Sequence, residues 1–471
     1  MQLKAQNTFQ KVYGGTGNDK IAHLLEVENK SLLILGSTEN FGANSSDILF
    51  FKIDSIGNVV WRKLIGTNGV ESAVDFIKTT TGYWILGNTN GKGSGGYDFY
   101  LVRTDFDGNV ISEHTFGGAD WDISTDLFLC NDSSLLISGY SSSYNLGIES
   151  GYLVKTNISG DSIWTRNYDA INLEHLNSIT ETADSIIYSI GFSKDFGDSL
   201  GDISLRKLKP NGDAIWYRKI SSPYYDEGFK IVSSSNGNLV IATHYGINDS
   251  SGVAHGNMID TSGAILWEFE TGNNTNAAFY DCVELNDGKF AFTGYYQSFN
   301  NSLGAVGNGG AEFMYSCVYS NGSFYFSGQF GYQNSDVANS IIELSDNSII
   351  IGGSTNSIGN GLHDIYIRKS RVDGYCDPNV SSNNTLSIKE QKSHIDQLFY
   401  YAVENGNLNL QFLKPINQLE IFDLQGKRIS CEKNINGNQT FNINSLVTGI
   451  YFLHLTQLNG DDNLIKIFCH E

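Results

Sequence analysis

The stretch Trp61–Ile111, WRKLIGTNGVESAVDFIKTTTGYWILGNTNGKGSGGYDFYLVRTDFDGNVI, reads as four short strands and four turns. Trp61-Arg-Lys-Leu-Ile65 ends at Gly66, and Ala73-Val-Asp-Phe-Ile-Lys78 follows with alternating character. Thr81-Gly82 turns the chain into Tyr83-Trp-Ile-Leu86, which Gly87 closes. A Gly- and Asn-rich loop, 88–96, leads to Phe99-Tyr-Leu-Val-Arg103, and Asp105-Phe-Asp-Gly-Asn109 turns again. Period-2 runs bounded by Gly, Asn and Asp are the signature of antiparallel strands.

Outward from this stretch the same unit recurs seven times. Its opening aromatic is Phe9, Trp61, Trp164, Trp216, Trp267 and Phe326, with Ser112 in the third copy; the steps are 52, 51, 52, 52, 51 and 59 residues. The hairpin glycine recurs as Gly36, Gly87, Gly139, Gly191, Gly294 and Gly353, with Thr243 as the exception, and the last turn as Asp107-Gly-Asn, Asn211-Gly-Asp and Asn321-Gly-Ser. Four antiparallel strands in about 51 residues match a propeller blade. The expected fold is all-β: a seven-bladed β-propeller over 7–376, a linker over 377–395 and a small Ig-like β-sandwich over 396–471. The chain starts on the aromatic strand and the seventh copy lacks it, so Thr8–Tyr13 is expected to close the ring and remove an open edge.

Tyr13-Gly14-Gly15, Leu35-Gly36-Ser37-Thr38 and Gly352-Gly353-Ser354-Thr355 give the repeat a further mark. In these it resembles the glycine-rich propeller repeats of secreted bacterial proteins, a resemblance that implies fold more than activity.

The 471 residues carry a net charge of −21, of which residues 381–471 contribute −2. So acidic a surface disfavours nucleic acid, whose binding needs Lys and Arg against phosphates, and favours cations or basic partners, or simply solubility. The six cysteines, at 130, 282, 317, 376, 431 and 469, form no CxxC and no zinc spacing, so no metal site is assigned; Cys431 and Cys469 could pair within the tail. No run of 18 apolar residues exists, so no transmembrane helix is expected. Leu3-Lys4-Ala5 carries the small residue expected before a signal-peptidase cut, and residues 1–6 are read either as the remnant of a signal peptide or as a plain leader.

Two rings of side chains suggest binding. Asp19, Glu71, Asp122, Glu174, Asp226 and Asp336 recur five places after the aromatic strand, with Ala277 in the sixth copy. Placed near the axis, these carboxylates could receive a cation such as Ca2+, though no specific motif supports one and no cofactor is expected, or a basic partner. Locally, an Asp after a Gly/Asn turn caps backbone N–H groups instead. Phe41, Tyr144, Phe196 and Phe299 follow the hairpin glycine in the long loops. They are read as stacking groups for sugars or proteins, or as packing between blades. No HExxH, GxSxG or Ser/His/Asp order is found, so no catalytic residue is assigned, and Gly91-Lys-Gly-Ser-Gly-Gly96 reads as a flexible turn.

The tail carries a sharper pattern. Leu419-Glu-Ile-Phe-Asp-Leu-Gln-Gly-Lys-Arg-Ile429 precedes Phe441-Asn-Ile-Asn-Ser-Leu-Val-Thr-Gly-Ile-Tyr-Phe-Leu453, and Ile465-Lys-Ile-Phe468 closes the chain. This resembles the type A C-terminal sorting domain of the type IX secretion system of Bacteroidetes. The usual Tyr-Pro-Asn-Pro-like opening is replaced by Phe399-Tyr-Tyr-Ala-Val-Glu-Asn. The resemblance implies that Asp423, Gly426, Lys427, Leu446, Gly449, Tyr451 and Lys466 carry the sorting signal. It also implies export through the periplasm to the surface or medium, with the type IX translocon and an outer-membrane shuttle barrel as partners of 396–471.

Three functions then compete. The first is a non-enzymatic surface binding or adhesion protein whose propeller presents a loop-rich face to a glycan or protein. The second is a secreted polysaccharide hydrolase or lyase using channel-facing carboxylates, and the third a structural component of an outer-membrane assembly.

Overall fold

The computed structural model describes residues 8–43, 45–144, 147–168, 173–194, 200–248, 251–271, 275–298, 310–332, 334–374 and 376. In the tail it describes 399–404, 407–412, 416–423, 428–435, 438–442, 449–457 and 462–469. The chain separates into two compact units, Met1–Ile388 and Lys389–Glu471.

The first unit is a seven-bladed β-propeller of four-stranded antiparallel blades. Blade 1 is Asp19–Glu26, Leu32–Thr38, Asp47–Ile53 and Val59–Ile65, from axis to rim, and blade 2 is Glu71–Thr79, Gly82–Thr89, Asp98–Thr104 and Val110–Phe116. Blades 3 to 6 have innermost strands Asp122–Leu129, Leu173–Glu181, Asp226–Ser233 and Thr275–Glu284. Blade 7 takes three strands, Asp336–Glu343, Ser348–Thr355 and Asp364–Arg371, from one end of the unit, and Phe9–Tyr13 from the other. Phe9 faces Lys369 and Tyr13 faces Ile365 in that last ladder. The innermost strands touch in sequence around the axis, and those of blades 7 and 1 also touch, so the ring is closed.

The repeat follows from how neighbouring blades pack. Alternate residues of the middle strands face the adjacent blade: Leu33, Leu35 and Phe50 of blade 1 meet Phe76, Tyr83, Ile85 and Tyr100 of blade 2, all buried. Toward the rim, the recurrent aromatic of one blade covers the last-turn glycine of the next. A Cβ on Gly108, Gly212 or Gly263 would stand 3.1 to 3.3 Å from the indole of Trp61, Trp164 or Trp216. These glycines have φ between 75° and 84°, so the turn and the contact both require glycine there.

Every innermost strand carries a one-residue β-bulge at the same place, at Ala22, Val74, Thr125, Asn177, Phe229, Tyr280 and Asn339. A bulge sets an extra residue on one strand and re-aims its side chains. Here it lets two consecutive residues serve the central channel.

The tail unit has two antiparallel sheets. One pairs Phe399–Glu404, Asn407–Phe412 and Asn438–Asn442; the other runs Arg428–Ile435, Ile416–Asp423, Gly449–Gln457, Asp462–Cys469 in spatial order. Leu419 and Ile421 alternate on its buried side. Cys431 and Cys469 lie on opposite edge strands of the four-stranded sheet. Three inter-strand steps of roughly 4.8 Å each separate those edges, too far for the disulfide weighed from the sequence.

Candidate functional site

The six recurrent carboxylates are almost wholly buried, and five of them hold the turn that precedes them. Asp19 accepts from the N–H of Gly15 at 2.8 Å, Glu71 from Thr67 at 2.9 Å, Asp122 from Gly118 at 2.7 Å and Asp336 from Tyr332 at 2.7 Å. Asp226 accepts from the N–H of Ser222 in the same way. Hydroxyls or amides of the next hairpin add to this: Thr38 and Asn40 on Asp19, Thr89 on Glu71, Ser143 on Asp122 and Ser357 on Asp336. These bonds give each carboxylate a local role in its own blade.

A second carboxyl, from the third strand of the preceding blade, faces several of them. The pairs are Asp364 with Asp19, Asp47 with Glu71, Asp98 with Asp122, Asp202 with Asp226 and Glu312 with Asp336. Where the pairs converge, Gly14, Gly66 and Gly117 leave room that a Cβ would fill. Burial, reinforced by the second carboxyl, pushes Asp19 and Asp98 up to about 6 and Glu312 up to about 7. Blade 4 solves the seam differently. Ser150 replaces the second acid, and Glu174 pairs with Arg206, whose Nε lies 2.8 Å away. At the seam between blades 5 and 6 neither acid exists, and Gly252 bridges directly to Asn276 through the backbone.

Of the loop aromatics, Phe41 is half-buried under the Arg62 guanidinium, 4.4 Å from its ring centroid. Tyr144 is exposed and donates from its hydroxyl to the Gly117 carbonyl at 2.9 Å. Phe196 and Phe299 lie outside the described residues, as do residues 1–6, Gly426, Lys427 and Leu446. In the tail, Asp423 faces Tyr451 in register, Gly449 opens its strand opposite Cys469, and Lys466 faces Phe452.

What the sequence reading did not single out is the axis itself. Four places after each recurrent acid, and after Ala277 in blade 6, stand His23, Asp75, Asp126, Ser178, Lys230, Asp281 and Ser340, one per blade. Their types differ, so no motif marks them; the one signal is a charged residue inside an otherwise apolar run, as in Ala73-Val-Asp75-Phe-Ile. The bulge beside each frees a backbone N–H that must find an acceptor. The neighbouring blade supplies it: Asp126 Oδ2 accepts from Ile179 at 2.9 Å, Ser178 Oγ from Ile231 at 3.3 Å and Asp281 Oδ2 from Ile341 at 2.9 Å.

Lys230 cannot accept, and His23 does not serve its neighbour. In those two cases the next blade's aspartate takes its own following N–H: Asp281 that of Cys282 at 2.9 Å and Asp75 that of Phe76 at 2.7 Å. Lys230 Nζ instead bridges the axis to Asp126 Oδ1 at 3.0 Å. Burial holds His23 down to about 4, so it is neutral. Burial and the Asp126 charge raise Asp75, while Lys230, Ser178 and Ile179 outweigh burial and lower Asp126.

Above this layer the channel opens into a cavity of about 740 Å³. The bulge residues Ala22, Val74, Thr125, Asn177, Phe229, Tyr280 and Asn339 form its wall, with Lys20, Ser72, Ser124 and Glu227 around them. None of the six recurrent carboxylates lines it. Trp121 and Tyr225, exposed and directly preceding Asp122 and Asp226, also escaped the sequence reading. Among the described residues no cluster of three or more His, Cys, Asp or Glu could hold a metal ion, and no helix is long and apolar enough to cross a membrane.

Residues 404–468 match the secretion system C-terminal sorting domain, the type IX signal. The chain is therefore secreted to the cell surface or the extracellular space. No curated protein matches the chain. Among solved structures, a Bacteroides caccae protein of unknown function is 12% identical, over 70% of this chain and 98% of its own, with a TM-score of 0.39. The extracellular domain of the putative one component system BT4673 from B. thetaiotaomicron is 11% identical, over 99% of this chain and 58% of its own, with a TM-score of 0.45. A Dyadobacter fermentans protein of unknown function is 11% identical, over 77% and 98%, with a TM-score of 0.41.

Proposed function

We propose that this is a non-enzymatic binding protein of the cell surface or its surroundings. Its propeller presents the axial cavity and the loops around it to a glycan or a protein. The tail addresses the chain to the type IX translocon and its shuttle barrel. The observation that carries the reading is the division of the axis into two layers. One is a hydrogen-bonded floor; the other is a wide-mouthed cavity whose wall combines aromatic, amide, hydroxyl and charged groups, the mixture that fixes ligands in concave sites.

A hydrolase working through axial carboxylates is less well supported. Asp75, Asp126 and Asp281 are each engaged by backbone N–H groups, and Asp126 also by Ser178 and Lys230. Glycan and protein arrays probed with the intact chain test the proposal. The expected result is selective binding that is lost when Tyr280 and Phe229 are both changed to Ala. Arrays showing no binding, together with turnover of any polysaccharide, would replace it with the enzymatic reading.

A further inference from the structure

The wall of the cavity is not uniform around the ring. Blades 1 to 3 contribute small or aliphatic bulge residues, Ala22, Val74 and Thr125. Blades 5 and 6 contribute Phe229 and Tyr280, whose rings meet edge to face with centroids 4.7 Å apart. Tyr280 continues to Tyr295 at 5.5 Å. Glu227, the one carboxylate that lines the cavity, stands among these rings. One of its oxygens accepts from Asn177 Nδ2 at 2.8 Å and the other from the Tyr225 hydroxyl. Burial, and then the Glu227 charge among other neighbours, raise the hydroxyls of Tyr225, Tyr280 and Tyr295.

Elsewhere in the propeller, aromatic groups carry a cation from the chain itself: Arg206 lies over Tyr168 and Tyr217, Lys207 over Tyr188 and Lys289 over Tyr325. Among the described residues no Lys or Arg lies over Tyr225, Phe229, Tyr280 or Tyr295. A carboxylate set beside aromatic side chains is an arrangement that recognises an ammonium group, by charge from the one and ring quadrupoles from the others. The two oxygens keep acceptor capacity after their present bonds, since a carboxylate offers about four lone-pair sites. The net charge of −21 draws cations to the mouth.

We infer that the cavity takes a primary ammonium group, seated against Glu227 between Tyr225, Phe229 and Tyr280, from an amino sugar or a lysine side chain. This deepens the binding reading above and rests on it.

Titration calorimetry on the intact chain at slightly acid pH distinguishes the sources. The probes are a β-1,4-linked glucosamine tetramer, its fully N-acetylated counterpart, and a capped Gly-Lys-Gly peptide with and without acetylation of the lysine. The expected result is that the tetramer, the free-lysine peptide or both bind, that acetylation weakens the bound probe tenfold or more, and that salt weakens it further. Glu227→Gln, close in shape, removes the difference between free and acetylated probe while its thermal midpoint stays near that of the parent. Equal binding of the acetylated tetramer overturns the ammonium inference and leaves glycan binding standing. Binding by none of the four probes overturns the inference, and the arrays then judge the broader reading independently.

Discussion

Two rings of the propeller are built from adjacent residues in every blade and obey opposite rules. The floor residue after each bulge is polar in all seven blades, because freed N–H groups must be accepted there and one ion pair spans the axis. The wall residue at the bulge itself ranges from Ala22 to Tyr280; Ala22 and Val74 also touch the core between blades, but no shared hydrogen-bonding need fixes the type. The bulge thus divides labour between neighbours: one position secures the ring, the other is left open to specificity.

The sharpest way to break this comparison is Asp126→Ala. It removes the hydrogen-bonded partner of the Lys230 ammonium, leaving only the charges of Asp281 and Asp75 near it, and unpairs the Ile179 N–H; a loss of about 3 kcal/mol is expected, toward the low end for breaking a buried pair. Urea unfolding of the intact chain measures it, followed through the propeller's tryptophans. Asp281→Asn keeps one acceptor and loses the charge next to Lys230, so a smaller loss, about 1–3 kcal/mol, is expected by the same assay. An outcome in which either change is silent would remove the floor from the account of stability.

The seam carboxyls set a third effect. Asp19, Asp98 and Glu312 have folded values near 6, 6 and 7, above their values in an unfolded chain. Protonation of these groups therefore favours the fold. Their contribution is complete below about pH 4 and is lost as the pH rises through 6 to 7. His23 works the other way, since its lowered value costs stability as the pH falls from about 6.5 toward 4. With more carboxyls than histidines involved, the thermal midpoint is expected to fall between pH 5 and pH 8, and Asp98→Asn to flatten that slope. The smallest effect sharpens the contrast: Val74→Thr on the wall keeps the side chain's shape but sets a hydroxyl against the core cluster on which Val74 packs, and a loss of about 0.5–1 kcal/mol, below either floor change, is expected by urea unfolding.

The blades were legible because their rule repeats. The rim aromatic and the last-turn glycine are one contact, so they recur together, and the place of Phe9–Tyr13 in blade 7 follows from the phase. The recurrent acids were visible for the same reason, and Asp19, Glu71, Asp122, Asp226 and Asp336 hold turns that every such blade must make. The axial ring was not legible, because seven different side chains meet one need through different donors and acceptors. The cage around Glu227 was hidden more deeply still. It joins residues from blades 4, 5 and 6, and a position in a repeat says nothing of how three successive copies differ.

The ladder between Phe9 and Lys369 has a consequence for how the molecule is made and lost. Its two strands come from opposite ends of the propeller's sequence, so the entropy of joining them is recovered only after the intervening blades are in place. Closure is then the concluding event of folding, and its reversal the first event of opening. A chain cut back past Tyr13 would still form blades, yet it would breathe at one seam, and protease sensitivity would begin there.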